Sequence, residues 1–425
     1  MSAQVKAMAR RRRDQADEPT VTRALQALQS DHVHVCQERC LLVRNRNAEC
    51  LRCAQACTSG CISYNEQTKM LDIDQARCVG CGTCATVCPT CALEANNPND
   101  AVLATTALDA LIAARGVGVV MCDHAWERYA ACVDPQRATR VRCLGRVDES
   151  VCVSLVAAGA DRVVLVHGAC DTCERSVGKQ TYELVAATAG ELLGAWRSDV
   201  RVELTDKLPR EAMLDEGEKS AFTQSLPYDE NRRRLLSETG RSMLCALSDA
   251  VTPEALKSDE PEVVCDESGR AQAARFMKTM KDGTLPHFIP DRRERLLDAL
   301  AELGEPENVT LDTRLWGRVV IDASKCRTCY GCATFCPTGA ITKWKDETGE
   351  GVDHSPADCV KCRCCTDICP TDALTLYEDV MAPDVASGAV VQHWVLPSVT
   401  DDRGRAHSVV NRMKKMLNID QIYER

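Results

Sequence analysis

The stretch Cys326-Arg-Thr-Cys329-Tyr-Gly-Cys332-Ala-Thr-Phe-Cys336-Pro337 returns as Cys359-Val-Lys-Cys362-Arg-Cys-Cys365-Thr-Asp-Ile-Cys369-Pro370. Both copies have the spacing C-x2-C-x2-C-x3-C-P. Zinc takes four ligands, commonly as two C-x2-C pairs separated by a longer gap. Four cysteines within eleven positions, ending in Cys-Pro and repeated, do not fit that plan. Disulfide frameworks belong to short secreted chains, and this chain has 425 residues. The spacing instead puts three thiolates on one tight loop, as a metal cluster requires. Pro337 and Pro370 then turn the chain away from that loop.

The pattern also occurs near the other end. Cys78-x2-Cys81-x2-Cys84-x3-Cys88-Pro89 is regular. Cys40-x9-Cys50-x2-Cys53-x3-Cys57 is stretched, and Thr58 stands where proline is expected. Thr58-Ser-Gly-Cys-Ile62 parallels Pro337-Thr-Gly-Ala-Ile341, and Thr90-Cys-Ala-Leu93 parallels Thr371-Asp-Ala-Leu374. These parallels make Cys61 and Cys91 spare thiols, and Cys364 falls outside the spacing as a third. Cys36 is a rival to Cys40. The chain is thus a degenerate internal repeat around an unrelated middle.

The runs resemble bacterial two-cluster ferredoxins, over about 55 residues for the C-terminal copy. The longer loop in the first run resembles that of some ferredoxin-like subunits. The resemblance implies four [4Fe–4S] clusters, with the fourth cysteine of each run crossing to the other cluster. Cys326, Cys329, Cys332 and Cys369 would hold one, and Cys359, Cys362, Cys365 and Cys336 another. Near the N-terminus the sets would be Cys40, Cys50, Cys53 and Cys88, and Cys78, Cys81, Cys84 and Cys57. It also implies that Thr338–Ile341 and Thr371–Leu374 are short strands.

The four runs use 16 of the 28 cysteines, so the middle needs its own account. Gly116–Met121, Arg140–Cys143 and Arg162–Val166 read as strands, with helices at Glu149–Ala158 and Arg175–Leu193. That alternation predicts a small α/β unit with a parallel sheet. Cys122, Cys143, Cys170 and Cys173 fall at or beyond the carboxyl ends of the strands, where open sheets gather ligands. Cys143-Leu-Gly-Arg-Val-Asp148 and its surroundings, Val117 to about Glu191, resemble the iron–sulfur delta subunit of methyl-viologen-reducing hydrogenases. That resemblance implies a [2Fe–2S] cluster on the four cysteines. It also implies electron passage between a hydrogenase or formate dehydrogenase and a flavin-bearing heterodisulfide-reductase-type partner. The family's wider gap between its last two cysteines, with His beside them, is replaced here by a bare Cys170-Asp-Thr-Cys173. A zinc site, a redox dithiol and buried thiols therefore stay open as alternatives. Cys132 and Cys152 read as core, and Cys245 and Cys265 as structural.

The expected fold class is α+β and multi-domain. Residues 1–30 form a tail with a short helix, Val21–Leu28, and 31–100 a ferredoxin-type module. Residues 101–205 form the α/β unit, and 206–315 a helical insertion with segments at Asn231–Val251 and Arg292–Leu303. A second module covers 316–382, and 383–425 is an extension with a helix or tail at Arg405–Arg425. A net charge of -10 argues against nucleic acid, which needs a basic footprint. Arg10–Arg13 precede the polar Asp14–Pro19, so they read as a solvated tail and not a twin-arginine signal. No apolar run approaches the roughly 18 residues of a membrane span. The reading is a soluble, cytoplasmic protein. There is no Walker loop, and Gly116-x-Gly118 lacks the third glycine of a dinucleotide fingerprint. Trp126 reads as core, and His32 and His34 as surface residues. The sum predicts an electron-transfer subunit with a redox donor and acceptor as partners. The alternative is a reductase acting at a dithiol or cluster of the middle unit.

Overall fold

The computed structural model describes residues 32–45, 48–66, 68–215, 264–265, 271–272, 284–288, 290–347, 349–388, 390 and 392–395. The expected helices at Val21–Leu28 and Asn231–Val251, the segment Arg405–Arg425, and Cys245 lie outside them. The fold mixes helices and strands around one small parallel sheet.

That sheet has four strands in the order Thr139–Val141, Val117–Cys122, Arg162–Val166 and Val202–Thr205, all parallel. The central strand Val117–Cys122 is buried along its whole length, as a strand covered on both faces should be. Gly118 has a packing reason: a Cβ there would meet Leu155 at 2.9 Å, so the glycine lets a helix close on the sheet. The helix Glu149–Ala157 begins at Asp148, whose carboxylate accepts from Ser150 N–H at 2.8 Å. The helix Asp100–Ala113 begins at Asn99 in the same way. The helix Gly178–Ala195 carries Tyr182, Val185, Ala189 and Leu192 into the core.

The fourth strand was not expected. Its Glu203 and Leu204 are exposed, so no apolar run announces it; it is an edge strand. Residues 208–214 continue the unit, with Leu208, Ala212 and Leu214 buried. The helix Asp291–Leu303 forms where Arg292–Leu303 was expected, and it packs along Glu149–Ala157. Leu296, Leu300, Trp316, Val380 and Val385 share one apolar core with the parallel sheet.

The two cysteine-rich segments share a topology. In the first, Val33–Val35 pairs antiparallel with Leu93–Ala95, and Ile62–Asn65 with Met70–Ile73. In the second, Arg318–Ile321 pairs with Leu374–Tyr377, and Ile341–Asp346 with Gly349–His354. Short helices at Thr83–Val87, Gly331–Phe335 and Cys364–Ile368 lie within the regular runs, each ending just before the fourth cysteine. The strands expected at Thr338–Ile341 and Thr371–Leu374 start only at Ile341 and Leu374. The residues before them turn: Gly339 (φ +72°) and Asp372 (φ +49°) are left-handed, and Thr338 Oγ1 donates to Asp358 O at 2.7 Å. Among the described residues, no helix is long and apolar enough to cross a membrane.

Candidate iron–sulfur sites

The regular runs curl by one device. Gly80 and Gly82, Thr328 and Tyr330, and Lys361 and Arg363 all have positive φ. Alternating left-handed residues turn successive N–H groups inward, making a concave nest for an anion. The sulfur of Cys326 accepts from Thr328 N–H at 3.4 Å. Cys78 accepts from Gly80 N–H and Cys359 from Lys361 N–H in the same way. The closing cysteines share a second turn. Gly60, Cys91, Gly339 and Asp372 are left-handed at equivalent places. Cys88 and Cys369 accept from Ala92 and Ala373 N–H at 3.3 Å, and Cys57 accepts from Cys61 N–H.

Among its described residues the stretched run has no such nest. Cys40 caps the helix Leu41–Arg44 without a side-chain hydrogen bond, and the nearby Leu42 and Val43 N–H groups only partly offset the burial of its thiol. Cys50 accepts from Arg52 N–H at the start of Arg52–Gln55. Helix N-termini therefore stand beside these two sulfurs in place of the nest.

Cys40, Cys50, Cys53 and Cys88 line one cavity of about 330 Å³, counting its open mouth. Cys36 is not among its lining residues; its N–H donates to Ala92 O at 2.7 Å. Cys57, Cys78, Cys81 and Cys84 line a second cavity of about 340 Å³, and Cys61 joins them. Cys61 Sγ lies 3.4 Å from Cys57 Sγ. In the other module Cys326 and Cys332 feel the charge of Cys369, and Cys359, Cys362 and Cys365 feel that of Cys336. The fourth cysteine of each run thus faces the opposite run.

Burial pushes the Cys53 thiol up to about 12, with Cys88, Cys40 and Cys50 adding repulsion. Burial pushes Cys40 and Cys359 up to about 11, and Cys84, Cys362 and Cys365 well above the ordinary range. For Cys57 burial also raises the thiol, but hydrogen bonds from Ser59 and Cys61 outweigh it and leave it low. Buried sulfurs grouped with N–H donors aimed at them are poor neighbours as bare thiolates. These cysteines would hold iron as thiolates, with the metal's positive charge in place of the lost protons. The residues present therefore fit iron–sulfur clusters.

Cys122, Cys143, Cys170 and Cys173 gather at the carboxyl edge of the parallel sheet. The sulfur of Cys122 accepts from Gly168 N–H at 3.2 Å. Cys143 and Cys173 accept from Gly145 and Arg175 N–H, each at 3.4 Å. Cys143 feels the charges of Cys122 and Cys173, and Cys122 that of Cys170. Burial pushes the Cys143 thiol up to about 12. Two neighbours were not singled out from the sequence: His124 Nε2 lies 3.9 Å from Cys173 Sγ, and the Tyr182 hydroxyl 3.4 Å from Cys170 Sγ. Spacing carried no signal for either. Cys152 is fully buried and Cys132 half-buried, with its thiol donating to Tyr129 O. Cys265 lies in a two-residue strand. Trp126 is partly buried under the Arg140 guanidinium. His32 and His34 are half-buried and not surface residues, because His34 lies on the paired strand Val33–Val35 and His32 sits against Gly80.

The sites adjoin one another. Cys143 feels Cys81, and Arg142 donates to Val79 O at 3.4 Å. A Cβ on Gly145 would meet Thr83 Oγ1 at 2.5 Å, so the glycine lets the two loops touch. Cys84 feels Cys53, and Cys365 feels Cys332. Between the modules, Arg52 donates to Lys361 O at 3.4 Å, and the Asp367 charge reaches Cys50. Three arginines, Arg146 buried and Arg292 and Arg314 half-buried, hold this assembly. Arg314 clamps Glu149 with two bonds of 2.7 Å and donates to Thr86 O. Arg292 donates to Cys91 Sγ at 2.9 Å and to Cys88 O at 3.2 Å, and Arg146 pairs with Asp100.

Residues 325–373 match the 4Fe-4S dicluster domain, and residues 71–94 match the 4Fe-4S binding domain. The chain therefore contains two 4Fe-4S ferredoxin-type domains, which point to iron–sulfur electron transfer. The second match covers the run Cys78–Cys88; Cys40–Cys57 and the α/β unit lie outside both matches. No curated protein and no solved structure matches the chain.

Proposed function

We propose that the chain is an electron-transfer subunit with four [4Fe–4S] clusters and one [2Fe–2S] cluster in a single line. In this reading Cys326, Cys329, Cys332 and Cys369 hold the cube at one end. Cys359, Cys362, Cys365 and Cys336 hold the next, then Cys40, Cys50, Cys53 and Cys88, then Cys78, Cys81, Cys84 and Cys57. Cys122, Cys143, Cys170 and Cys173 hold the [2Fe–2S] cluster at the far end. Bound clusters would take up and release electrons singly. The protein excludes water from the inner sites and donates N–H groups to sulfur, which tunes potentials.

The observation that carries this reading is the adjacency of successive cysteine sets, from Cys332 beside Cys365 to Cys81 beside Cys143. The two ends also differ from the middle. Asp322–Lys325 and Arg327 are exposed around one end, and Ala169, Asp171, Thr172 and Glu174 around the other. Such ends suit a donor and an acceptor. The resemblance of the α/β unit favours a hydrogenase or formate dehydrogenase on one side and a flavoprotein of heterodisulfide-reductase type on the other. A reducing compartment such as the cytoplasm suits the many free thiols. The reductase alternative rests on Cys170 and Cys173, which are half-exposed with Tyr182 and His124 beside them.

Temperature-dependent EPR on anaerobically purified, dithionite-reduced protein, with iron counted on the same sample, tests the reading. It expects about 18 iron atoms and a slowly relaxing signal that survives warming. About 16 iron atoms with only fast-relaxing signals would empty the middle unit. Turnover of a substrate by the purified chain without a partner would favour the reductase.

A further inference from the structure

Arg44 ends the short helix in the stretch between Cys40 and Cys50. It is 1% exposed. One terminal nitrogen donates to Glu38 O at 3.2 Å. Its Nε and its other terminal nitrogen are buried and have no hydrogen-bond partner. Leaving such donors unpaired in a buried place is costly, most of all for a charged group. An orphan of this kind needs an explanation, and one is a bound group.

The surroundings say which group. The guanidinium lies over the Phe288 ring, 5.7 Å from its centre. Phe288 N–H donates to Pro337 O at 2.9 Å, and His287 Nδ1 lies 2.8 Å from Cys336 O. Arg44 is thereby fixed beside the Cys336-Pro337 turn of the other module. The sulfurs of Cys364, Cys336 and Cys362 act on it more strongly than Glu38 does.

We infer that Arg44 is a positioning residue that one module lends to the other: its unpaired N–H groups donate to sulfur of the cluster at Cys336, Cys359, Cys362 and Cys365, and its charge raises the reduction potential there. This rests on the cluster assignment proposed above. Reduction adds negative charge to a cluster, so a buried cation beside it stabilises the reduced form. The inter-module step would then be set by Arg44 as well as by cluster type.

Redox titration of the full chain followed by EPR tests this, with Arg44→Gln, Arg44→Lys and Cys364→Ala. Arg44→Gln is expected to lower one midpoint enough to change the reduced-to-oxidised ratio at least tenfold, about 59 mV for one electron. Arg44→Lys keeps the charge but loses the planar fork, so its shift is smaller. Cys364→Ala leaves the midpoint in place. Unchanged midpoints in Arg44→Gln with full iron would overturn the inference and leave the cluster assignment standing. Loss of the Arg44→Gln shift in a Cys364→Ala background would also overturn it, by making Cys364 the partner. Native protein lacking iron would instead sink the cluster assignment. If Arg44→Gln fails to load iron, native protein with ¹⁵N-labelled arginine decides: hyperfine coupling to a reduced cluster is expected, and its absence overturns the inference.

Discussion

The two cysteine modules are the same device built twice, and they differ where the first run is stretched. In the C-terminal module all eight cysteines sit on regular loops with left-handed residues at fixed places. In the N-terminal module the run Cys40–Cys57 uses helix N-termini instead. The added residues have a use: Leu41, Leu42, Val43 and Arg44 are all buried, and the three apolar ones share a core with Leu285, Phe335, Cys364 and Ile368 of the opposite side. The departure from regular spacing thus marks the surface by which one module grips the other. A second difference lies at the closing turn, where Cys61 replaces Ala340 and puts a fifth sulfur in the cavity.

That comparison can be broken in four ways. The largest effect is expected at the closing cysteines. Cys336→Ala should cost about four iron atoms, because Ala340 offers no substitute. Cys57→Ala should keep its iron through Cys61, and only the Cys57→Ala/Cys61→Ala double variant should lose about four. Iron analysis of the three proteins decides.

Next comes the grip itself. Leu41→Ala should destabilise the chain by about 2–5 kcal/mol, read from the shift of its denaturant midpoint. An unchanged midpoint would mean that the stretched run is only a spacer.

The third is a pH effect confined to one hairpin. His354 pairs with Ile341, and Ile73 holds the matching place opposite Ile62. Burial, with help from the Arg318 charge, lowers His354 from 6.5 to about 4. Between those values the unfolded chain binds a proton that the folded chain refuses. Stability therefore falls as pH falls through that window, by about 3 kcal/mol in total. His354→Ile should remove this loss, and thermal melts at several pH values would show whether it does.

The smallest effect concerns Gly82, whose φ is +74° and whose absent Cβ would meet Arg146 at 2.4 Å. Tyr330 and Arg363 stand at the equivalent places with side chains. Gly82→Ala should therefore cost at least the 1–2 kcal/mol of a left-handed alanine, measured by the same melts.

Much of this was legible in advance. Cysteine spacing is a local property, so the runs announced the loops, and the short apolar segments announced three of the four parallel strands. Val202–Thr205 hid because an edge strand alternates with solvent and shows no apolar run. Arg44 and Arg292 hid for another reason. Arg292 meets Cys91 and Arg44 meets Phe288 about 200 residues or more away along the chain, and a single arginine has no spacing to read. Cys61 reads as spare because it aligns with alanine, yet that position turns its side chain toward the sulfur of Cys57.

In the proposed function the sites form one continuous line through both modules and the parallel-sheet unit. The most direct test of that line is EPR of the chain at stepwise increasing reduction. Adjacent reduced clusters broaden and split each other's signals, so the account predicts sharp spectra at partial reduction that give way to spin-coupled spectra at full reduction. Clusters whose signals simply add, unchanged in shape at every stage, would contradict it.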